Sequence, residues 1–198
     1  MKPLAILLLA ANISCAENWP QWRGPRLDGT STETNVPVHW SATSNIAWKV
    51  AMPGLGHASP IIWGDQVFTV TALPETQERV LLALNRKDGK VAWKQSVLSS
   101  PLEKKHMLNS HASSTPACDG ERVFVAFLDR QQMVVAAYDL SGKQQWVARP
   151  GKFSSMHGFC SSPILFKDKV IVNGDHDGDG YMVALDRQTG KQLWKIDR

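Results

Sequence analysis

Three histidines and three aspartates carry the chemistry this sequence offers most openly. His57, His111 and His157 precede Pro60, Pro116 and Pro163 by three, five and six residues. Neutral imidazole ligates transition metals and changes charge near neutrality, so three rings gathered at one axis would hold a metal or a polar ligand. A plainer use is also open to them: each ring bonds loop backbone and fixes the start of the strand that follows. The unequal offsets leave both readings standing.

The sharpest local motif is Asp175-His176-Asp177-Gly178-Asp179-Gly180. Oxygen ligands at alternate positions with glycine sixth match the first half of a calcium loop, and Asp186 falls at position twelve. That makes Asp175, Asp177 and Asp179 candidate calcium ligands. Against it, no helical pattern flanks the motif, and Asp186 belongs to a repeated turn phrase that also contains Asn85 and Asp139. The alternative is an acidic hairpin between two strands.

Other chemistry finds little footing. The sequence has no Gly-x-Ser-x-Gly, no phosphate-binding glycine loop, no His-Glu-x-x-His and no Cys-x-x-Cys-His, so the motifs of the common hydrolases, nucleotide-binding proteins and haem carriers are missing. The net charge of +4 on 198 residues is spread over turns and strand faces. Nucleic-acid binding would want it clustered.

The elements that must position these residues announce themselves by repetition. Trp48, Trp93, Trp146 and Trp194 close similar phrases, separated by 45, 53 and 48 residues, close to the period of about 40–50 residues of four-stranded propeller blades. The last three follow a turn phrase ending in Gly-Lys: Ala83 to Lys90, Ala137 to Lys143 and Ala184 to Lys191. An Asx residue begins each turn, glycine takes the positive-φ position, and the next strand carries the indole. Each unit also opens alike, with Ser59-Pro60, Thr115-Pro116 and Ser162-Pro163 leading into short inner strands. Runs such as Val67-Phe68-Thr69-Val70 and Val123-Phe124-Val125-Ala126 then predict β-strands, and the helical period is missing after residue 16.

These signals predict an all-β chain, a partial β-propeller of four-stranded antiparallel blades. A sheet that small cannot bury both faces alone, so neighbours must stack on it. Each repeated tryptophan is expected to dock between blades, burying on the order of 150–250 Å². The predicted organisation is a signal peptide over 1–16, then an N-terminal segment over 17–52 that holds the last strand of a first blade around Trp48. A blade over 53–98, a connection over 99–109, and blades over 110–149 and 150–198 follow. Propellers usually close with about 4–8 blades, so the array reads as incomplete at its C-terminus: part of a longer product, or a chain that self-associates through open blade edges.

Met1-Lys2, the apolar run Leu4–Ala11 and Ser14-Cys15-Ala16 read as an export signal cleaved after Ala16. The run is too short for a membrane span, which needs about 20 apolar residues. A lipid anchor on Cys15 is the lesser alternative. Export to the periplasm or beyond permits a disulfide between Cys118 and Cys160. Their near-equivalent places at the starts of two units favour two free, buried, small apolar residues instead.

The phrase Ala184-x-Asp186-x-x-Thr189-Gly190-x-x-x-Trp194 resembles the tryptophan-docking repeat of the pyrroloquinoline-quinone-type propellers. Trp19-Pro20-Gln21-Trp22-Arg23-Gly24-Pro25 is similar to the start of exported bacterial propellers with PQQ-binding-like repeats. The resemblance covers essentially all of the chain after the leader. It implies a cofactor, the quinone, held over the axis with calcium, in those relatives that are dehydrogenases. Several of these stack an adjacent-cysteine disulfide on the quinone, and this chain has no adjacent cysteines. The expected function is therefore a binding and interaction scaffold at the cell envelope for a protein or polymer partner, non-catalytic by itself. Its contact surface would be the funnel-face loops that carry the three histidines. The alternative is the N-terminal part of a quinone-dependent alcohol or sugar dehydrogenase. A third reading, a calcium- or carbohydrate-binding module, would use Trp19 and Trp22 as stacking platforms; the plainer role for these two is packing against a blade.

Overall fold

A computed structural model describes residues 16–198, so the expected signal peptide, apart from Ala16, lies outside the described residues, and so does Cys15. No helix occurs among them, and none is long and apolar enough to cross a membrane. Twelve strands form three four-stranded antiparallel sheets, each a simple meander. The first sheet is β1 (Ile61–Trp63), β2 (Gln66–Leu73), β3 (Glu78–Asn85) and β4 (Val91–Ser99). The second is β5 (Ala117–Cys118), β6 (Arg122–Asp129), β7 (Gln132–Asp139) and β8 (Gln144–Ala148). The third is β9 (Ile164–Phe166), β10 (Lys169–Asn173), β11 (Tyr181–Asp186) and β12 (Gln192–Asp197).

The sheets stack face to face with β1, β5 and β9 side by side, which is the arrangement of propeller blades. Alternation along β6 shows why. Val123, Val125 and Phe127 point to the first sheet and pack with Phe68 and Leu81. Phe124, Ala126 and Leu128 point the other way and pack with Val170 and Val183 of the third. A strand buried on both faces reads as a continuous apolar run, which is the Val-Phe-Val-Ala-Phe-Leu of β6.

The repeated phrase now has a geometric meaning. Ala83 lies opposite Trp93, Ala137 opposite Trp146 and Ala184 opposite Trp194, and a bulge follows each pair. The small side chain leaves room for the indole, and the bulge bends the strand into the tight turn beyond. Each of the first three rings then crosses to the following sheet. The indole N–H of Trp48 donates to the Arg86 carbonyl at 2.8 Å, that of Trp93 to Leu140 at 3.0 Å, and that of Trp146 to Arg187 at 3.1 Å. The rings lie flat on the turn glycines: a Cβ added at Gly142, whose φ is +89°, would sit 2.9 Å from the Trp93 ring.

Two local expectations shift. The inner strands begin after their prolines rather than at Ala58, Ser114 and Ser161. Proline has no N–H for a ladder, and the residue before it bonds across sheets instead. Residues 46–50 form no strand. A strand exists only beside a partner edge, and Trp48 lies on the β3–β4 turn of the first sheet rather than alongside a strand. Both Cys118 and Cys160 are free; Cys118 is buried as expected, whereas Cys160 is exposed.

Candidate functional site

The strand directions put two sets of segments on one face of the stack. β1 runs away from that face, β2 returns, β3 leaves and β4 returns. The β2–β3, β6–β7 and β10–β11 loops therefore share it with the segments that lead into β1, β5 and β9. We call it the connection face. The loop over 174–180 is tied there to the segment before β9: the Asp177 N–H donates to the Ser154 carbonyl at 2.9 Å, and the Asp177 carboxylate accepts the Met156 N–H at 2.8 Å.

At the centre of this face the three sheets are stitched together by the residues that precede the prolines. The Ser59 N–H donates to the Thr115 hydroxyl at 3.0 Å, and the Thr115 N–H donates to the Ser162 hydroxyl at 2.9 Å. The Ser114 hydroxyl donates to the Ser161 carbonyl at 2.9 Å. The second and third sheets thus each supply an acceptor to the sheet before, which accounts for the hydroxyls of Thr115 and Ser162, while Ser59 contributes its N–H. A cavity of about 680 Å³ lies against this ladder, walled by Ser59, Thr115, Ser162, His57, Asn173 and Gln21. Trp22, 61% exposed, stands on its rim.

The three histidines do not converge. His57 lines the cavity, held by its backbone N–H on the Ala112 carbonyl at 3.0 Å. His111 Nε2 is 2.9 Å from the Glu103 carbonyl, fixing the long connection over 99–109. His157 packs on His106, ring centres 5.6 Å apart, and its carbonyl accepts from the Asn109 amide at 2.7 Å. Two of the three therefore bond or pack on loop groups.

The aspartate motif is not gathered as a calcium loop either. Asp175 pairs with Arg198 at 2.6 Å, and Asp177 holds the Met156 N–H. Asp186 serves its own turn, accepting the Thr189 N–H at 2.8 Å. Among the described residues no group of three His, Cys, Asp or Glu side chains is placed to hold a metal ion. Trp19 and Trp22 part company: Trp19 packs on Gly24 and pairs with Ile62, while Trp22 stays exposed at the cavity.

Two features of the site escaped the sequence reading. One is the hydroxyl ladder, whose signal was the repeated Ser/Thr-Pro. The other is Gln21, 8% exposed, whose side-chain oxygen accepts the Leu165 N–H at 3.3 Å across 144 residues. No local pattern marks such a contact.

Several known proteins similar to this chain are dehydrogenases by name. The chain is 26% identical over 163 residues to a polyvinylalcohol dehydrogenase of a Pseudomonas species, a match over 76% of this chain and 24% of that one. It is 25% identical over 163 residues to a putative dehydrogenase, XoxF, of Paracoccus denitrificans, over 76% of this chain and 25% of that one. The chain thus spans about a quarter of the length of the curated relatives it matches. Among solved structures it is similar to a europium-containing methanol dehydrogenase, with a TM-score of 0.54 at 22% identity over 72% of this chain and 25% of that one. It is equally similar to the quinohemoprotein alcohol dehydrogenase of Comamonas testosteroni, with a TM-score of 0.54 at 17% identity over 76% of this chain and 22% of that one. Identities this low speak for the shared propeller fold alone. The family model PQQ_2, described as outer membrane protein assembly factor BamB, matches residues 35–197, and with its repeated indole-on-glycine docking the chain belongs to that family of quinoprotein-like β-propeller repeats.

Proposed function

We propose that the chain is a binding scaffold of the cell envelope that holds a polar stretch of a protein or polymer partner on the connection face. One observation carries this reading. The axial cavity takes its wall from all three sheets and presents hydroxyls, an amide and His57 beneath an exposed indole at Trp22. Hydrogen-bonding groups beside one aromatic anchor suit an extended peptide or a sugar polymer, in which donors and acceptors recur along a backbone. The name of the matched family, an assembly factor for outer membrane proteins, points the same way. Titration with a synthetic β-strand peptide of an outer membrane protein, and with a soluble oligosaccharide, tests it through the Trp22 fluorescence. The expected result is a saturable change with one of them that Trp22→Ala abolishes. No response to either ends the proposal.

A second reading, part of a quinone-dependent dehydrogenase, is favoured by the names of the curated relatives. Pyrroloquinoline quinone is a tricarboxylate and asks for several cationic or N–H partners, with calcium asking for clustered oxygens. Around the cavity the basic groups are Arg23 and His57, and the described carboxylates are not gathered for calcium. The described residues do not fit the pair, so no step is drawn through them. Dye reduction with an alcohol after addition of the quinone and calcium separates the two readings: turnover would favour the dehydrogenase.

A further inference from the structure

The inner strands have one edge each that their own sheet does not use. β1, β5 and β9 pair on one side with β2, β6 and β10, and their other edges face the axis with backbone N–H groups that need partners. Residues Trp19–Gln21 supply these partners one after another. The Ile62 N–H donates to the Trp19 carbonyl at 2.9 Å, with the reciprocal bond from the Trp19 N–H to Ile62 also at 2.9 Å. The Cys118 N–H donates to the Pro20 carbonyl at 2.7 Å. The Leu165 N–H donates to the Gln21 side-chain oxygen at 3.3 Å.

These donors occupy one repeated position. Ile62, Cys118 and Leu165 each lie two residues after the proline that opens their unit. Three consecutive residues of one segment therefore answer the same backbone group in three consecutive sheets. The residue types suit the task. Pro20 has no N–H of its own to leave unpaired and its φ is preset near the extended range. Gln21 reaches where the backbone cannot. Asn18 adds a fifth bond, accepting the Gly64 N–H at 2.8 Å. Trp19 is seated by Gly24, whose φ of +71° turns the chain back and whose missing Cβ would lie 2.8 Å from the ring.

The three donors sit toward the turn end of the inner strands, whereas the Ser59, Thr115 and Ser162 ladder sits at their connection end. We propose that Trp19–Gln21 is a strap that locks three successive blades at their axial edges, on the turn side of the cavity. The cavity's walls are then held at fixed spacing from two ends: by the Thr115 and Ser162 hydroxyls at the connection end and by the strap at the turn end. This goes beyond the scaffold reading and holds whatever the cavity binds.

Native-state hydrogen exchange on the whole chain tests it. In the unaltered protein the Ile62 and Cys118 amides share one opening event, so their protection factors should agree within about threefold. In the double variant Trp19→Ala/Gln21→Ala, exchange at Ile62, Cys118 and Leu165 should quicken by about tenfold or more, the loss of a hydrogen bond's worth of protection. The Val125 and Ala136 amides, deep in the second sheet, should keep their rates. The proposal fails if Ile62 and Cys118 exchange at unrelated rates in the unaltered chain. It also fails if the double variant leaves the three amides unchanged, or quickens them only in step with Val125 and Ala136. The first measurement decides the matter even if the double variant does not fold.

Discussion

Arg79 and Glu103 form an ion pair whose side chains are 0% and 5% exposed. The guanidinium also donates to the Ser100 carbonyl at 2.6 Å and to the Leu128 carbonyl at 3.3 Å. One side chain of β3 thereby ties the first sheet to the 99–109 connection and to β6 of the second sheet. Glu103 carries the tie onward, since its carbonyl lies 2.9 Å from His111 Nε2. A buried pair of this kind contributes little net stability because both charges lose their water. It does dictate which arrangement of the connection is allowed.

The asymmetry of that balance gives a first prediction. Glu103→Ala strands a charged guanidinium in the interior and should cost about 3–5 kcal/mol. The double variant Arg79→Met/Glu103→Leu removes both charges, keeps the volume, and should recover most of that loss. Urea unfolding of the three proteins checks it. A double variant as unstable as Glu103→Ala would mean that the pair's hydrogen bonds, not the uncompensated charge, set the cost.

The indole docking gives a second. Trp146 is 7% exposed and bonds to Arg187 of the next sheet, so Trp146→Ala should cost about 3–5 kcal/mol. Trp194 sits in β12, where most residues are exposed, and Trp194→Ala should cost about 1 kcal/mol. Gly142→Ala asks an L residue to hold a φ of +89° with its Cβ in the Trp93 ring, and should cost about 2 kcal/mol or more. Equal effects at Trp146 and Trp194 would show that the ring's seat on the following blade contributes nothing.

What the sequence disclosed and what it hid divides along a physical line. The Trp, Gly and Ala of the turn phrases recur because every blade meets the same geometry, so the period alone exposes the fold. Ser59, Thr115 and Ser162 recur for the same reason, although their role as a ladder between sheets appears only once the sheets are stacked. Arg79 with Glu103, and Gln21 with Leu165, occur once each. They join segments distant in the chain, and nothing about an arginine in a strand or a glutamine near the start marks it. The Asp175–Gly180 pattern is a local motif of another kind. Its spacing is that of the first half of a calcium loop, and in the structure Asp175 is engaged by Arg198 and Asp177 by the Met156 N–H.

The two thiols provide a third prediction. Cys118 is 2% exposed beneath the strap, and burial pushes its thiol up to about 12. Thiolate is the reactive form, so at pH 8 Cys118 should resist alkylation while the exposed Cys160 is modified. Peptide mapping by mass spectrometry reads both at once. The pH dependence follows in sign. Unfolding lowers the Cys118 pKa toward the ordinary value of about 8.5, so the unfolded chain releases a proton that the native chain keeps. Stability should therefore decline as pH rises above that value, and Cys118→Ala should flatten the decline. Rapid labelling of Cys118 in the native state would contradict the seat described for it.

Acid should loosen the turns that carry the docking glycines. Asp139 is held below the usual carboxylate range first by the Ser141 hydroxyl and also by the Lys143 and Ser141 N–H groups. Asp186 is lowered in the same way, first by the Thr189 hydroxyl and then by the Thr189 N–H. For a carboxylate depressed in the native state, the contribution to stability is complete above the unfolded value of about 3.9 and disappears as pH falls through the lower native value. The melting temperature should thus drop below pH 4. The first sheet supplies the control, because Asn85 fills the same turn position and accepts the Lys87 N–H at 2.8 Å without titrating. Asp139→Asn/Asp186→Asn should therefore fold normally at pH 7 and lose less of its melting temperature between pH 5 and pH 2 than the parent does. If both proteins fall by the same amount over that range, the acid sensitivity resides in other carboxylates, and the turn aspartates act through shape alone.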